Sequence, residues 1–261
     1  MNDDLPDLEL NARLFEPGES LEEVPAPFAQ PGEDGPAEPV FVHKDRIDFE
    51  SWYQHALALT GGIESERHKS RSFNLVQMLR TTSGLSGATL EAGCYRGLSS
   101  LLMCKAMRQA DDRFDGTGHT MIDSFKGLSR PGKVDGPRAQ AKFRNGLFRL
   151  NSIAGLRETI ADFPGVEIKR GWIPQVFDNL PERRYRFVLI SVGLFEPTLS
   201  SLRYFYPRMV DGGIVLVSGY GIYTNGYWPG CARAVVSYSS ESGVPAVPMQ
   251  AGNCILIKRA G

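Results

Sequence analysis

The feature that most constrains the fold is an alternation of short apolar runs with segments of helical spacing, which begins after Gly87. Strands separated by helices form parallel sheets, because a crossover helix returns the chain to the same edge of the sheet. Two closing runs around Ala251 and Gly252 have the pattern of an antiparallel hairpin. The sequence therefore predicts an α/β fold, a doubly wound and mostly parallel seven-stranded sheet with a C-terminal antiparallel hairpin. The strands are predicted at residues 88–92, 119–123, 166–170, 186–191, 213–218, 244–248 and 253–258, and the helices at residues 98–109, 152–163, 197–206 and 231–240.

The first 85 residues differ in composition from the rest of the chain. Prolines alternate with acidic residues and glycines at the start, and such a composition buries little apolar surface. Apolar residues then recur at helical spacing in two segments, 45–60 and 64–82. A helical cap placed before a sheet often closes a pocket, whereas plain packing of the two helices, with His55 and His68, is the alternative. We predict a flexible Pro- and acid-rich arm at residues 1–40, a helical cap at 41–85 and a sheet domain at 86–261.

The charge balance narrows the class of partner. The 261 residues carry 29 basic and 30 acidic side chains, so no overall field attracts nucleic acid or an anionic membrane. No apolar run reaches the ~18 residues of a membrane-spanning helix, and the first residues are acidic, unlike a signal peptide. The four cysteines are far apart and form no metal-binding pair. We expect a cytoplasmic protein that acts on a small molecule, with no nucleic-acid and no membrane partner.

A glycine loop follows the first strand of the sheet domain. Its spacing is Glu91-x-Gly93-x-x-x-Gly97, and glycines at such a turn let the backbone approach a ligand. Tyr95 stands where a dinucleotide fingerprint would need a second glycine for pyrophosphate, so a ligand without pyrophosphate fits better. S-adenosyl-L-methionine (SAM) is such a ligand, because its carboxylate suits the helix N-terminus and its ammonium group suits Glu91. The alternative is that the glycines form only a tight turn.

Further candidate cofactor residues follow the next three strands. Asp123 ends the second strand beside Ser124, and its carboxylate can accept hydrogen bonds from a ribose diol or, alternatively, cap the local backbone. Gly171 and Trp172 follow the third strand, where an indole suits an adenine, with core packing as the alternative. Ser191, after the fourth strand, completes the predicted cofactor site. Ligands of doubly wound sheets lie beyond these carboxyl ends of the strands.

In combination, these motifs resemble the macrocin and mycinamicin O-methyltransferases of the TylF/MycF type, which methylate sugar hydroxyls of antibiotics. The resemblance covers about residues 64–259 and implies a Rossmann-like class I methyltransferase fold, SAM as the cofactor, and a glycoside or natural-product intermediate of secondary metabolism as the acceptor. We also expect a homodimer or a higher homo-oligomer. The matching residues are Arg71, Asn74, Leu75, Glu91, Gly93, Arg96, Gly97, Asp123, Ser124, Phe125, Gly127, Gly171, Trp172, Tyr206, Pro207, Gly212, Gly213, Gly230 and Cys231.

The chain departs from the family pattern at the positions where family members carry metal-binding aspartates. Family members carry Asp-Gly-Asp after the fourth strand and Asp-Asp after the fifth, several of which hold magnesium. Here Ser191, Val192 and Gly193 follow the fourth strand, and Ser218 and Gly219 follow the fifth. Magnesium needs hard, preferably anionic oxygen ligands, which two serine hydroxyls do not supply. We therefore predict that no divalent metal is bound.

The general base of the family is a histidine after the second strand, and residues 129–150 contain no histidine. Lys142 is an approximate counterpart, and Glu196 is the second catalytic candidate. Asp135 and Tyr223 are further candidates by position. For each of these side chains, an ordinary solvated or hydrogen-bonded role is the alternative.

A glycine-rich aromatic segment at residues 219–230 follows the fifth strand. It suits either a loop that stacks on a sugar or flat ring, or a connection packed against a neighbouring subunit. The sequence leads to the hypothesis of a metal-independent SAM-dependent methyltransferase that modifies a hydroxyl, or an amine, of a sugar or another natural-product scaffold. The alternatives are a non-catalytic SAM-binding assembly partner and a SAM-assisted enzyme that does not methylate.

Overall fold

A computed structural model describes residues 49–142, 147–149, 152–220 and 229–260 of the chain. The predicted arm at residues 1–40 lies outside the described residues. Most of the aromatic segment, including Tyr223, lies outside them as well.

The described residues contain the predicted alternation of strands and helices. The strands are β1 (Ala88–Ala92), β2 (His119–Asp123), β3 (Glu167–Arg170), β4 (Tyr185–Ile190), β5 (Met209–Ser218), β6 (Val247–Pro248) and β7 (Asn253–Ile257). The helices are α1 (Phe49–Thr60), α2 (Glu66–Thr81), α3 (Leu98–Ala110), α4 (Pro137–Lys142), α5 (Ile153–Thr159), α6 (Phe195–Phe205) and α7 (Pro229–Ser242).

The seven strands form one sheet in the order β3-β2-β1-β4-β5-β7-β6. Strands β1 to β5 are parallel, whereas β7 is antiparallel to both β5 and β6. The chain runs outward from β1 to β3 and then returns to place β4 beside β1. The order of strands therefore reverses between β1 and β4, the position at which doubly wound sheets bind ligands. The predicted fold class is confirmed.

Helix α5 and strand β6 are among the predicted elements that are shorter in the structure, and each has a proline at or close to its end. Helix α5 starts where expected, because Ser152 Oγ caps it by accepting from Gly155 N at 3.1 Å. It ends at Thr159, and it could not continue through residue 163, because Phe163 precedes Pro164 and a residue before proline avoids the α conformation. Strand β6 has only two residues, Val247 and Pro248, because prolines cannot donate to a strand ladder.

Hydrophobic residues on both faces of the sheet form the core. One face packs against α6 and α7 through side chains such as Val188, Leu202 and Val235. The other face packs against α1, α2, α3 and α5, with α1 and α2 contributing buried residues such as Tyr53 and Leu79. The two cap helices therefore share their hydrophobic core with the sheet. None of the helices in the described ranges is long and apolar enough to span a membrane.

Candidate cofactor site

A cavity of about 760 Å³ lies at the carboxyl ends of β1 and β4, a volume within the range of about 300–1,000 Å³ that is typical of small-molecule sites. The loops after β1, β2, β3 and β4 form one side of it. The connection between α1 and α2 and one face of α2 form another. All nine predicted cofactor residues except Gly97 line this cavity: Glu91, Gly93, Tyr95, Asp123, Ser124, Gly171, Trp172 and Ser191.

The two glycines of the β1 loop are required by close backbone packing. Gly93 has a φ of +85°, and a Cβ atom there would lie 2.5 Å from Ser191 O. Gly97 has a φ of +87°, and its Cβ would lie 2.7 Å from Leu156 Cδ1. Residues with side chains rarely adopt this left-handed conformation, and here neighbouring atoms fill the space as well. The loop therefore passes directly over the start of the β4 loop, with its backbone open to the cavity.

Asp123 fixes the shape of the same loop. Its Oδ2 accepts hydrogen bonds from Cys94 N at 3.1 Å and from Tyr95 N at 2.9 Å, while Oδ1 accepts from Phe125 N at 2.8 Å. Burial raises the pKa of this carboxyl, and the backbone bonds oppose the rise. The structure thus shows the backbone-capping role for Asp123. Since a carboxylate can accept further hydrogen bonds, its contact with a ribose diol stays a prediction.

Glu91 is buried, with 2% of its surface exposed, and begins a polar chain behind the glycine loop. Ser100 Oγ donates to Glu91 Oε2 and lies 2.9 Å from His119 Nε2, while His119 Nδ1 lies 2.8 Å from Thr89 Oγ1. Burial raises the pKa of Glu91 from 4.5 to about 8, with the nearby charge of Asp123 adding to the rise and Ser100 opposing it. Burial also lowers the pKa of His119 to about 3, so its ring is neutral.

The remaining predicted cofactor residues differ in how they are held. Ser124 Oγ donates to Gly127 O at 2.9 Å and accepts from Lys126 N at 3.1 Å, so its hydroxyl shapes the β2 loop. Trp172 is 37% exposed on the cavity wall, which excludes the alternative of core packing. Ser191 is exposed at the end of β4 and also lines the cavity.

The predicted catalytic residues are placed less favourably. Glu196 is exposed on the first turn of α6 and is not among the described residues that line the cavity. Lys142 ends α4, and its side chain lies outside the described part of the structure. Asp135 is buried and accepts hydrogen bonds from Gly132 N and Phe195 N, both at 2.8 Å. This is the ordinary hydrogen-bonded role that was the alternative to a catalytic one.

Several cavity residues were missed by the sequence reasoning. His68, Arg71, Ser72 and Leu75 follow the i, i+3, i+4, i+7 spacing of one face of α2, and all four line the cavity. Burial, together with the charge of Arg71, lowers the pKa of His68 to about 4. The mixture of polar and apolar residues on one helical face was the signal that could have identified this wall. Asn253, at the start of β7, had no comparable signal.

A comparison with protein families agrees with this geometry. The profile of macrocin O-methyltransferase (TylF) matches residues 15–253. The chain belongs to the macrocin O-methyltransferase family. Other family features can now be placed on the structure: Arg96 Nη1 donates to Thr60 O at 3.0 Å and so ties the glycine loop to the end of α1.

Two relatives of the chain are O-methyltransferases of low sequence identity. The chain is 26% identical over 170 residues to 8-demethyl-8-(2,3-dimethoxy-alpha-L-rhamnosyl)-tetracenomycin-C 4'-O-methyltransferase of Streptomyces olivaceus, which covers 62% of this chain and 61% of the relative. It is 23% identical over 169 residues to mycinamicin III 3''-O-methyltransferase of Micromonospora griseorubida, with 62% and 63% covered. The matched region thus spans about three fifths of the length of these relatives.

Solved structures share the fold of this macrocin O-methyltransferase family member. The calicheamicin methyltransferase CalS11 superposes with a TM-score of 0.61 at 20% identity, covering 87% of this chain and 99% of CalS11. The O-methyltransferase NovP gives a TM-score of 0.60 at 21% identity, covering 73% and 80%. At these identities, the likeness establishes the class I methyltransferase fold.

The donor atoms beside this cavity do not fit a magnesium ion. Ser191 follows β4 and Ser218 ends β5, and neither neutral hydroxyl supplies the anionic oxygen that magnesium prefers. Within the described ranges, no group of three or more His, Cys, Asp or Glu side chains is placed to hold a metal. Residues 221–228, which connect β5 to α7, contain no Asp or Glu.

Proposed function

We propose that this family member transfers the methyl group of SAM to a hydroxyl of a sugar or another natural-product scaffold without a divalent metal, with oxygen preferred to nitrogen as the acceptor. The observation that carries the proposal is a single cavity with two chemically different sides. The β1 to β4 loops on one side present Glu91, Asp123 and Trp172, whereas α2 and β7 contribute the other side. Such a cavity has room for a cofactor and an acceptor at the same time.

The cofactor side supplies groups suited to each part of SAM. Glu91 would face the ammonium group, the start of α3 would face the carboxylate, Asp123 the ribose diol and Trp172 the adenine. SAM supplies an electrophilic methyl group, which an acceptor oxygen displaces in line. The work of the protein is to hold the acceptor on that line and to receive its proton.

Proton acceptance without a metal requires a base in or beside the cavity. The exposed position of Glu196 outside the lining argues against it, while Lys142 remains a prediction from the sequence. His68 lines the cavity and is neutral at pH 7 because burial lowers its pKa to about 4, and the same shift makes it a weaker base than an ordinary histidine. We therefore propose His68 as a second candidate for the general base, in addition to Lys142.

The test is methyl transfer from isotopically labelled SAM to mycinamicin III and to demethyldecarbamoylnovobiocin, each with magnesium and with EDTA. We expect methylated product from at least one glycoside, at the same rate in both conditions. Gly93→Trp, which would fill the glycine loop, is the inactive control. Loss of transfer in EDTA would refute metal independence. Calorimetric binding of SAM without any transfer would instead support the non-catalytic SAM-binding alternative.

A further inference from the structure

Asn253 carries a buried hydrogen-bond acceptor that the described part of the fold does not use. The residue is 1% exposed and lines the cavity. Its Nδ2 donates to Arg71 O at 3.2 Å, which fixes the orientation of the amide because a carbonyl oxygen accepts only from the nitrogen end. Across residues 49–142, 147–149, 152–220 and 229–260, no group donates to Asn253 Oδ1. Buried polar atoms of this kind are rare in folded proteins and call for an explanation.

The position of Asn253 in the sheet separates it from the cofactor loops. It pairs with Ser218, the last residue of β5, and both residues line the cavity. Glu91 lies in β1, Asp123 ends β2 and Trp172 lies just after β3, and these three strands lie on the other side of β4 from β5 and β7. The amide therefore belongs to the part of the cavity that remains for the acceptor when the cofactor occupies the loops.

The surroundings of Asn253 suit a ring that carries hydroxyl groups. Its bond to Arg71 O places it against α2, whose cavity face carries His68 and Ser72 as polar groups. Leu75 and Leu216 add an apolar surface to the same lining. Sugars combine hydroxyl donors on their edges with apolar C–H faces, so this wall offers a partner to both.

We propose that Asn253 Oδ1 accepts a hydrogen bond from a hydroxyl group of the acceptor and thereby positions the sugar for methyl transfer. This inference rests on the proposed function, since it assigns a role within the same site. Asn253 is a binding and positioning residue, and the methyl group and the proton do not pass through it. A sugar that lacks the hydroxyl would leave Oδ1 without a partner, so the residue would also contribute to acceptor selectivity.

The experiment compares Asn253→Leu with Asn74→Leu. Both amides tie α2 to the C-terminal region, because Asn74 Nδ2 donates to Gln250 O at 3.0 Å, but Asn74 does not line the cavity. We expect Asn253→Leu to raise the KM for the acceptor glycoside by about fivefold or more, which is the loss of affinity typical of one neutral hydrogen bond. The Kd for SAM should be unchanged. Asn74→Leu should leave both constants at their native values. Asn253→Ala is the second variant if thermal melting shows that the leucine variant does not fold.

Three results would overturn the inference: an equal rise in KM for both variants, an unchanged KM in Asn253→Leu, or a weaker Kd for SAM in Asn253→Leu alone. If the native protein binds SAM but methylates neither glycoside, the proposed function fails. The role of Asn253 is then tested by measuring the binding of a sugar instead of methyl transfer. Methyl α-L-rhamnopyranoside is then titrated into the S-adenosylhomocysteine complex of each protein. Weaker binding by Asn253→Leu than by Asn74→Leu supports the inference, and equal or absent binding overturns it.

Discussion

Replacing Glu91 with glutamine should make the SAM-free protein more stable, and the gain should grow with pH. In the unfolded chain, the Glu91 carboxyl loses its proton near its ordinary pKa of 4.5, whereas in the folded protein burial raises this pKa to about 8. Between these two values, the folded state keeps a proton that the unfolded state has released. Stability from this group is therefore complete below 4.5 and is lost as the pH rises through about 8.

The size of the effect follows from these two pKa values. At about 1.4 kcal/mol for each pKa unit, the folded carboxyl costs roughly 1 kcal/mol at pH 5.5 and roughly 4 kcal/mol at pH 7.5. Glutamine removes this cost and retains an acceptor for Ser100. The stabilisation by Glu91→Gln should thus increase by roughly 2 to 3 kcal/mol between the two pH values. For a protein of this size, that corresponds to a Tm difference of roughly 5–10 °C.

The assay is thermal unfolding of SAM-free native and variant protein at pH 5.5 and pH 7.5. The difference between the two proteins is the quantity to follow, because His119 titrates with the opposite sign. Its pKa is lowered to about 3, so its contribution to stability is lost as the pH falls. Glu158→Gln, on the exposed surface of α5, is the control and should give a constant difference. A constant difference for Glu91→Gln would show that Glu91 ionises normally in the folded state.

Three further substitutions test the site. Gly93→Ala should weaken SAM binding at least tenfold in calorimetry, because its Cβ would lie 2.5 Å from Ser191 O. Gly243→Ala should leave binding unchanged, because Gly243 also has a positive φ of +69°, but a Cβ there would meet no described atom within 4 Å beyond its chain neighbours. Trp172→Ala should weaken SAM binding by about tenfold and change the Tm little, since the indole is 37% exposed; a lowered Tm with native affinity would contradict this role. Asp135→Ala should lower the free energy of unfolding by about 2 kcal/mol in urea titrations, because two backbone N–H groups lose their acceptor, and an unchanged midpoint would contradict that reasoning.

The fold could be predicted from the sequence because its signals are local. Runs of apolar residues mark β1 and β4, and Ser152 marks the start of α5. That the predicted cofactor residues would line one cavity could also be predicted, because parallel strands bring their carboxyl ends to one edge of the sheet. Glu91 and Asp123 lie at the carboxyl ends of β1 and β2, and Trp172 lies two residues after β3.

The acceptor side depends on contacts that no local pattern contains. Asn253 meets Arg71 across 182 positions of sequence, through the antiparallel pairing of β7 with β5. Glu196 shows the opposite case: its position after β4 in the sequence suits a catalytic residue, but it does not line the cavity. Which way it faces depends on how α6 is rotated about its axis, and burial of Leu199 and Leu202 leaves Glu196 in solvent.

Because β7 lies beside β5, the two sides of the cavity are completed at different times during translation. All the loops predicted to hold the cofactor are present once the ribosome has passed Ser191, whereas the wall with Asn253 requires β7, residues 253–257. Until then, β5 is an unpaired edge. A nascent chain can therefore assemble the proposed cofactor side of the cavity before β7 completes the proposed acceptor side.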